Sequence, residues 1–230
     1  MNIFYAPPNQ IRGNQIELLG QEATHVSKVL RYREEDAITV VDGQGGWYEG
    51  IISRILRDSI QVTVQNFEKK PRRDPRLALA LGIIKKRDRL EFAVEKAVEL
   101  GASEIVLFRS EHTVKENVRM DRLESTVLSA MKQSLRAYLP PVTVVPSLSN
   151  LIDKYKDAKL LVAHEKKEGE TGVPGVLKDS GELVLFVGPE GGFSEDEITL
   201  LKNRDSEIVS LGSHRLRAET AVTAFLSQFL

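Results

Sequence analysis

The sequence predicts an α/β protein in two parts, a small β domain over residues 1–70 and an alternating strand–helix domain over residues 71–230. Three observations carry this. The first part holds short, β-branched segments punctuated by Gly, Asn and Asp turns, the pattern of a small barrel. Residues 69–76, KKPRRDPR, carry two prolines and five basic residues and suit neither helix nor strand. From Leu77 onward, apolar runs of strand length alternate with segments of helical period, which calls for a parallel sheet covered on both faces.

Composition bounds the function. Lys and Arg number 32 against 33 Asp and Glu, a formal net charge of −1. Nucleic-acid partners usually imprint a basic balance, so any RNA site must be a local patch. The absence of Cys excludes disulfides, thiol catalysis and thiolate metal sites, and the four scattered His lack ligand spacing, so no metal is expected. MNIFYAP has neither a basic n-region nor an apolar h-region, and no apolar run reaches the length of a membrane span; a cytoplasmic protein is expected.

In the first part, residues 2–5, 15–19 and 37–41 read as strands. Residues 22–30 read as a helix with Ala23, Val26, Val29 and Leu30 on one side. DGQGG at 42–46 is a turn, and residues 47–56 and 59–67 are strands joined at Asp58-Ser59. In the second part, residues 77–84 form an apolar strand, and residues 88–100 an amphipathic helix closed by Gly101. Strands follow at 104–108, 142–145 and 160–163, with helices at 121–138, ended by Pro140-Pro141, and at 148–155. A short strand at 208–211 leads to a final, apolar helix at 222–230.

One stretch organises this domain. LVLFV (183–187) is a buried strand, GPEGG (188–192) cannot continue it, and Ser194 with Glu197 forms a capping box that starts a helix. A glycine loop between a strand's C-terminal end and a helix N-terminus is where open α/β sheets place ligands. Phosphate is the usual occupant. Here Glu190, Glu195, Asp196 and Glu197 would repel it, and neither G-x-G-x-x-G nor G-x-x-x-x-G-K-[ST] occurs. Two readings stand: a tight turn with a capped helix and no ligand, or a site for a neutral or cationic ligand with hydroxyls and an adenine-like face.

GPEGGFSEDEI (188–198) and LGSHRLRAETA (211–221), in this order and spacing, resemble the C-terminal motifs of the RsmE family. These are S-adenosylmethionine-dependent methyltransferases of the SPOUT superfamily that methylate N3 of a uridine in 16S ribosomal RNA. HVSKVLRYREED (25–36) is similar to the family's N-terminal signature, with Glu35 where a Gly is usual. LGIIKKRDRLEFAVEKAVELGASEI (81–105) resembles its strand–helix–strand opening. FRSEHTV (108–114) resembles a segment with Arg at the His112 position, and MKQSLR (131–136) resembles one with a small residue at the Leu135 position. The resemblance thus extends over almost the whole chain.

The resemblance implies a PUA-like β-barrel RNA-binding domain over 1–70 and a SPOUT α/β methyltransferase domain with a trefoil knot over 71–230. Periodicity alone would give an unknotted sheet. It implies S-adenosylmethionine as cofactor, the small ribosomal subunit as partner and a homodimer. Val187, Gly188, Pro189, Glu190, Gly191, Leu211, Gly212, Leu216 and Thr220 are the expected cofactor-binding residues, with Glu190 on ribose hydroxyls or near the sulfonium. Lys28, Arg31, Arg33, Lys86, Arg87 and Arg136 are the RNA-contact candidates. A basic cluster at the start of the 88–100 helix opposes the helix dipole, which marks it as a functional candidate.

Methylation at N3 of uridine requires loss of a weakly acidic proton, so a base or charge-stabilising cations are needed. Arg217 is the expected stabiliser of charge on the uracil oxygens. Glu219 is a candidate base, or else the residue that fixes Arg217 or a cofactor hydroxyl. Two other classes remain open: an RNA-binding ribosome assembly factor without catalysis, and a nucleotide-binding α/β protein, which the acidic loop disfavours.

Overall fold

The computed structural model describes residues 1–114, 118–165, 172–175 and 181–230. The chain forms two compact units, Met1–Arg72 with Met131–Leu139, and Arg73–Ala130 with Pro140–Leu230.

The first unit is built on a six-stranded sheet in the order β1-β4-β5-β6-β3-β2. Its strands are β1 (Ile3–Tyr5), β2 (Ile11–Arg12), β3 (Gln15–Leu19), β4 (Ala37–Val41), β5 (Gly46–Ile55) and β6 (Ser59–Lys69). Only β1 and β4 pair in parallel; the other neighbours are antiparallel. Register shifts at Glu49/Gly50 and Ile52/Arg54 interrupt the β5–β6 ladder, the kind of bulge that bends a strand. Alternation on β3 sends Ile16 and Leu18 inward, where they meet Phe4, Val26, Ile38, Val40, Ile52, Ile60 and Val62.

The helix expected at 22–30 begins two residues earlier and changes character along its length. Helix α1 (Gly20–Thr24) passes into one π-helical turn at His25–Val29, a wider winding that no apolar period announces. Beyond it Arg31 and Glu35 adopt left-handed backbone, with φ of 57° and 71°. The Glu35 position is thus one that glycine would occupy without strain.

Residues 131–139 return to this unit, although the sequence placed them on a helix of the second domain. Helix α3 (Met120–Gln133) stops five residues before the expected end, and Leu135 turns left-handed at φ 54°. Gly45 N–H then donates to Ala137 O at 2.9 Å and Leu139 N–H to Gly43 O at 2.9 Å. The Tyr138 hydroxyl donates to Lys70 O at 2.9 Å. The DGQGG turn is what allows this. A side chain at Gly45, φ 99°, would begin 2.3 Å from the Tyr138 ring.

The second unit carries a six-stranded sheet, all of whose pairings are parallel, in the order β12-β10-β11-β7-β8-β9. Its strands are β7 (Arg76–Gly82), β8 (Glu104–Phe108), β9 (Val142–Val145), β10 (Lys159–Ala163), β11 (Glu182–Val187) and β12 (Glu207–Val209). The remaining helices are α2 (Arg87–Glu99), α4 (Leu148–Lys154), α5 (Glu195–Lys202) and α6 (Ala218–Leu226). The central strands β7, β8 and β11 are apolar without alternation and buried, as strands covered on both faces must be. The last helix starts four residues earlier than expected and ends at Leu226, with one 3-10 turn after it.

The order places β11 between β7 and β10, so the chain reverses its direction of growth across the sheet. Such reversals leave a crevice at the strands' carboxyl ends. Among the described residues no helix is long and apolar enough to cross a membrane, and no group of three or more His, Cys, Asp or Glu could hold a metal ion.

Candidate functional site

A cavity of about 600 Å³ opens at the carboxyl ends of β10, β11 and β12. Its walls come from three loops: Ala163, His164 and Glu165 after β10, Val187 to Glu195 after β11, and the stretch from Leu211 to Ala218 after β12. Arg89 of α2, His112 and Ala221 complete it. The volume suits an organic cofactor.

The glycine loop is held from several directions. The capping box is present: Ser194 Oγ accepts from Glu197 N–H at 3.1 Å, and Glu197 Oε2 accepts from Ser194 N–H at 3.0 Å. The buried Glu197 carboxylate also accepts from Ser110 Oγ at 2.9 Å and Glu111 N–H at 3.1 Å. It therefore fastens the segment after β8 to the loop. Phe193 anchors the loop below, stacked on Phe108 with ring centroids 6.2 Å apart. His112 Nδ1 lies 3.1 Å from Gly191 O. Because a carbonyl oxygen only accepts, Nδ1 carries the hydrogen there.

Small residues are required where backbones cross. A side chain at Gly82 would begin 2.5 Å from Pro189 Cδ, and one at Gly191 would begin 2.8 Å from His112 Cβ. At Gly188 the nearest atom would be Gly192 C at 3.0 Å. Gly212, with φ 143°, instead meets nothing within 4 Å at that position.

Of the residues expected to bind cofactor, Val187, Gly188, Pro189, Glu190, Gly191, Leu211, Gly212 and Leu216 line this one cavity, as does Arg217. Glu190 accepts from Lys85 N–H through both carboxylate oxygens, at 3.1 and 3.2 Å. Thr220 is exposed on α6 and is not on the wall. Glu219 is not on the wall either: its Oε1 lies 3.5 Å from Arg89 Nε, and the Glu219 side chain is only 12% exposed.

The RNA-contact candidates fall in both units. Lys28, Arg31 and Arg33 are exposed on the first, where Arg136 is half-buried in the returning segment. Lys86 and Arg87 are exposed at the start of α2 in the second, with Arg87 Nε 3.6 Å from Glu91. Sequence reasoning missed the wall after β10, His164 and Glu165, and the wall residues His112 and Arg215; it placed Arg89 in the basic cluster at the start of α2, as a candidate for RNA phosphates and not for the cavity wall. Glu165 and Arg215 pair at 3.1 Å. The signal for the first was present, since ligands gather beyond the carboxyl ends of parallel strands and Ala163 ends one.

Electrically the cavity has two sides. The loop after β11 brings Glu190 and Glu195, whereas the loop after β12 brings Arg217 and an Arg215 paired with Glu165 of the wall after β10.

A family model described as an RNA methyltransferase domain matches residues 71–230, and one described as an RNA methyltransferase PUA domain matches residues 18–65. The chain is 30% identical to the ribosomal RNA small subunit methyltransferase E of Rickettsia conorii, over 99% of this chain and 94% of that protein. A probable rRNA-methyltransferase from Porphyromonas gingivalis is 34% identical, with a TM-score of 0.85 over 97% of this chain and 94% of that one. The ribosomal RNA small subunit methyltransferase E from Neisseria gonorrhoeae, bound to S-adenosyl methionine, is 28% identical, with a TM-score of 0.86 over the same shares of the two chains. The glycine-loop cavity, the PUA segment ahead of it and these full-length likenesses together assign the chain to the RNA methyltransferase family, among the ribosomal RNA small subunit methyltransferases E.

Proposed function

We propose that this protein is an S-adenosylmethionine-dependent methyltransferase of 16S ribosomal RNA, acting on N3 of one uridine of the small ribosomal subunit. The reading includes a trefoil-knotted methyltransferase domain, a homodimer and a cytoplasmic location. The observation that carries it is the glycine-lined cavity with one acidic and one basic side. The full-length relatives named for small-subunit RNA methylation support the substrate.

The residues fit the cofactor. Gly188, Gly191 and Gly192 leave main chain open at the cavity, and Gly212 leaves space where a side chain would stand. Main chain of Val187, Gly188, Leu211 and Leu216 would hold adenine and the methionine portion. Glu190 and Glu195 favour a cationic sulfonium over a polyphosphate. S-adenosylmethionine, when bound, supplies an electrophilic methyl group. The protein supplies position and charge control. Arg217, exposed at the cavity, is placed to stabilise negative charge on the uracil oxygens. A uridine N3 faces its pairing partner in a duplex, so the target must be unpaired or turned out. The basic residues Lys28, Arg31, Arg33, Lys86, Arg87 and Arg136 would contact RNA phosphates.

Calorimetric titration with S-adenosylmethionine, ATP and NAD in parallel tests the cofactor. Binding of S-adenosylmethionine alone is expected; binding of ATP or NAD instead would overturn the reading. Incubation with small ribosomal subunits, followed by mass spectrometry of the digested RNA, should then locate a single methyl group on N3 of a uridine.

A further inference from the structure

Arg89 stands at a costly position. It lies in the first turn of α2, beside Lys86 at the N-cap and Arg87 at the first position, where the helix dipole disfavours cations. Its side chain is three-quarters buried, and it reaches the wall of the cavity. Glu219, in the first turn of α6, lies 3.5 Å from its Nε. The other Glu219 oxygen, Oε2, is buried and has no hydrogen-bond partner among the described residues. The near oxygen of this carboxylate faces the arginine, its far one is enclosed, and Glu219 does not line the cavity. What it can do is hold a guanidinium. An arginine ion-paired on its Nε side has two terminal nitrogens, with four N–H donors, to offer another acceptor.

Resting on the proposed reaction, we infer that Arg89, positioned by Glu219, and Arg217 form a two-arginine clamp that binds the target uracil as its N3 anion. The chemistry matches the donors. When the N3–H bond breaks heterolytically, its electron pair stays on N3 and delocalises onto O2 and O4, the carbonyl oxygens on either side of N3. The proton passes to solvent. Both cations line one cavity and come from two different elements, Arg89 from the first turn of α2 and Arg217 from the N-cap of α6, and the clamp assigns each of them one oxygen of the ring. The clamp makes the anion accessible at neutral pH, and no carboxylate needs to act as base. Glu219 is on this reading a positioning residue and not the proton acceptor.

Two experiments test the clamp, and both use the whole chain. The first measures methylation of small ribosomal subunits from pH 6.5 to 10. Arg89→Gln should cut turnover at least about tenfold at pH 7 and recover toward wild type as pH rises, since hydroxide then forms the anion unaided; tenfold corresponds to one unit of substrate acidity. Glu219→Gln should lower turnover less and leave the shape of the profile unchanged. The double variant, Arg89→Gln with Glu219→Gln, removes the enclosed charge together with its partner and keeps the test valid should the single change unfold the chain. The second experiment needs no turnover. A titration with 5-nitrouridine, whose N3 is deprotonated at neutral pH, should show at least about tenfold tighter binding than uridine in wild type. That preference should shrink severalfold in the double variant, which keeps Arg217, and by a larger factor than any fall in calorimetric affinity for S-adenosylmethionine. A loss in Arg89→Gln that is equal at all pH values, or an acid limb removed by Glu219→Gln, would overturn the clamp and leave the methyltransferase reading intact. A wild-type protein that binds no S-adenosylmethionine and methylates no subunit would overturn both.

Discussion

Gly82 and Glu35 show two opposite uses of the same degree of freedom. Gly82 closes β7 against Pro189, and its missing side chain sets how near the glycine loop approaches the sheet. Gly82→Ala must push that loop outward, because the crowding atoms are backbone and a proline ring. Its expected effect is at least about a tenfold weaker affinity for S-adenosylmethionine by calorimetry, with a destabilisation of about 1–3 kcal/mol. Glu35 is the converse: a long side chain at φ 71°, exposed, with only its backbone N–H engaged, to Ile52 O at 2.8 Å. Left-handed backbone costs a non-glycine residue about 1–2 kcal/mol, and the looser unfolded state of glycine returns roughly half of that. Glu35→Gly should therefore raise the melting temperature by about 2 °C and leave cofactor affinity untouched. The loop glycines at 188–192 were legible in the sequence as a turn with unusual dihedrals, which holds for Gly192 at φ 69°, whereas the close approaches at Gly188 and Gly191 were not. Gly82 was not, because the strand it ends is apolar throughout and the atom it avoids lies 107 residues further along the chain.

At the scale of elements, the helix α5 and the loop before it form one fastening. The capping box was readable as Ser194 and Glu197, three positions apart ahead of an apolar face. Its second task was hidden, because Ser110 and Glu111 are brought to Glu197 only by the sheet order. Glu197→Gln keeps the shape but turns an acceptor into a donor facing donors. Leaving one such buried group unsatisfied costs about 1–3 kcal/mol, which a thermal melt should register together with weaker cofactor binding. Strand and helix identities in the second unit followed from apolar runs and helical period. What the pattern misjudged were ends and winding. The π turn at His25–Val29 has no periodic signature, and α3 yields at Gln133 because the segment after it pairs with the turn at Gly43–Gly45, a distant partner.

For the whole molecule, the pH range of stability is coupled to a buried phenol. Tyr155 belongs to the core of the second unit, with its hydroxyl buried. Burial first, and then the charge of Glu104, push its ionisation well above the ordinary value for tyrosine. With the folded-state pKa raised, this group's contribution is fully present below the unfolded pKa of about 10 and is lost as pH rises beyond it. Tyr155→Phe should flatten the alkaline fall in melting temperature between pH 9 and 11 while changing little at pH 7. The sequence reading took the proline-rich, basic stretch 69–76 as a boundary, and the chain changes units inside that stretch, between Arg72 and Arg73. The interleaving of the chain was not legible, since Met131–Leu139 reads locally as the end of a helix and finds its place through Gly43, Gly45 and Lys70. That interleaving has a genetic consequence. A single crossover near codon 72 cannot transplant the first unit into another gene, because nine of its residues are encoded far downstream, inside the reading frame of its neighbour. Moving the first unit whole requires a second exchange that carries residues 131–139 as well.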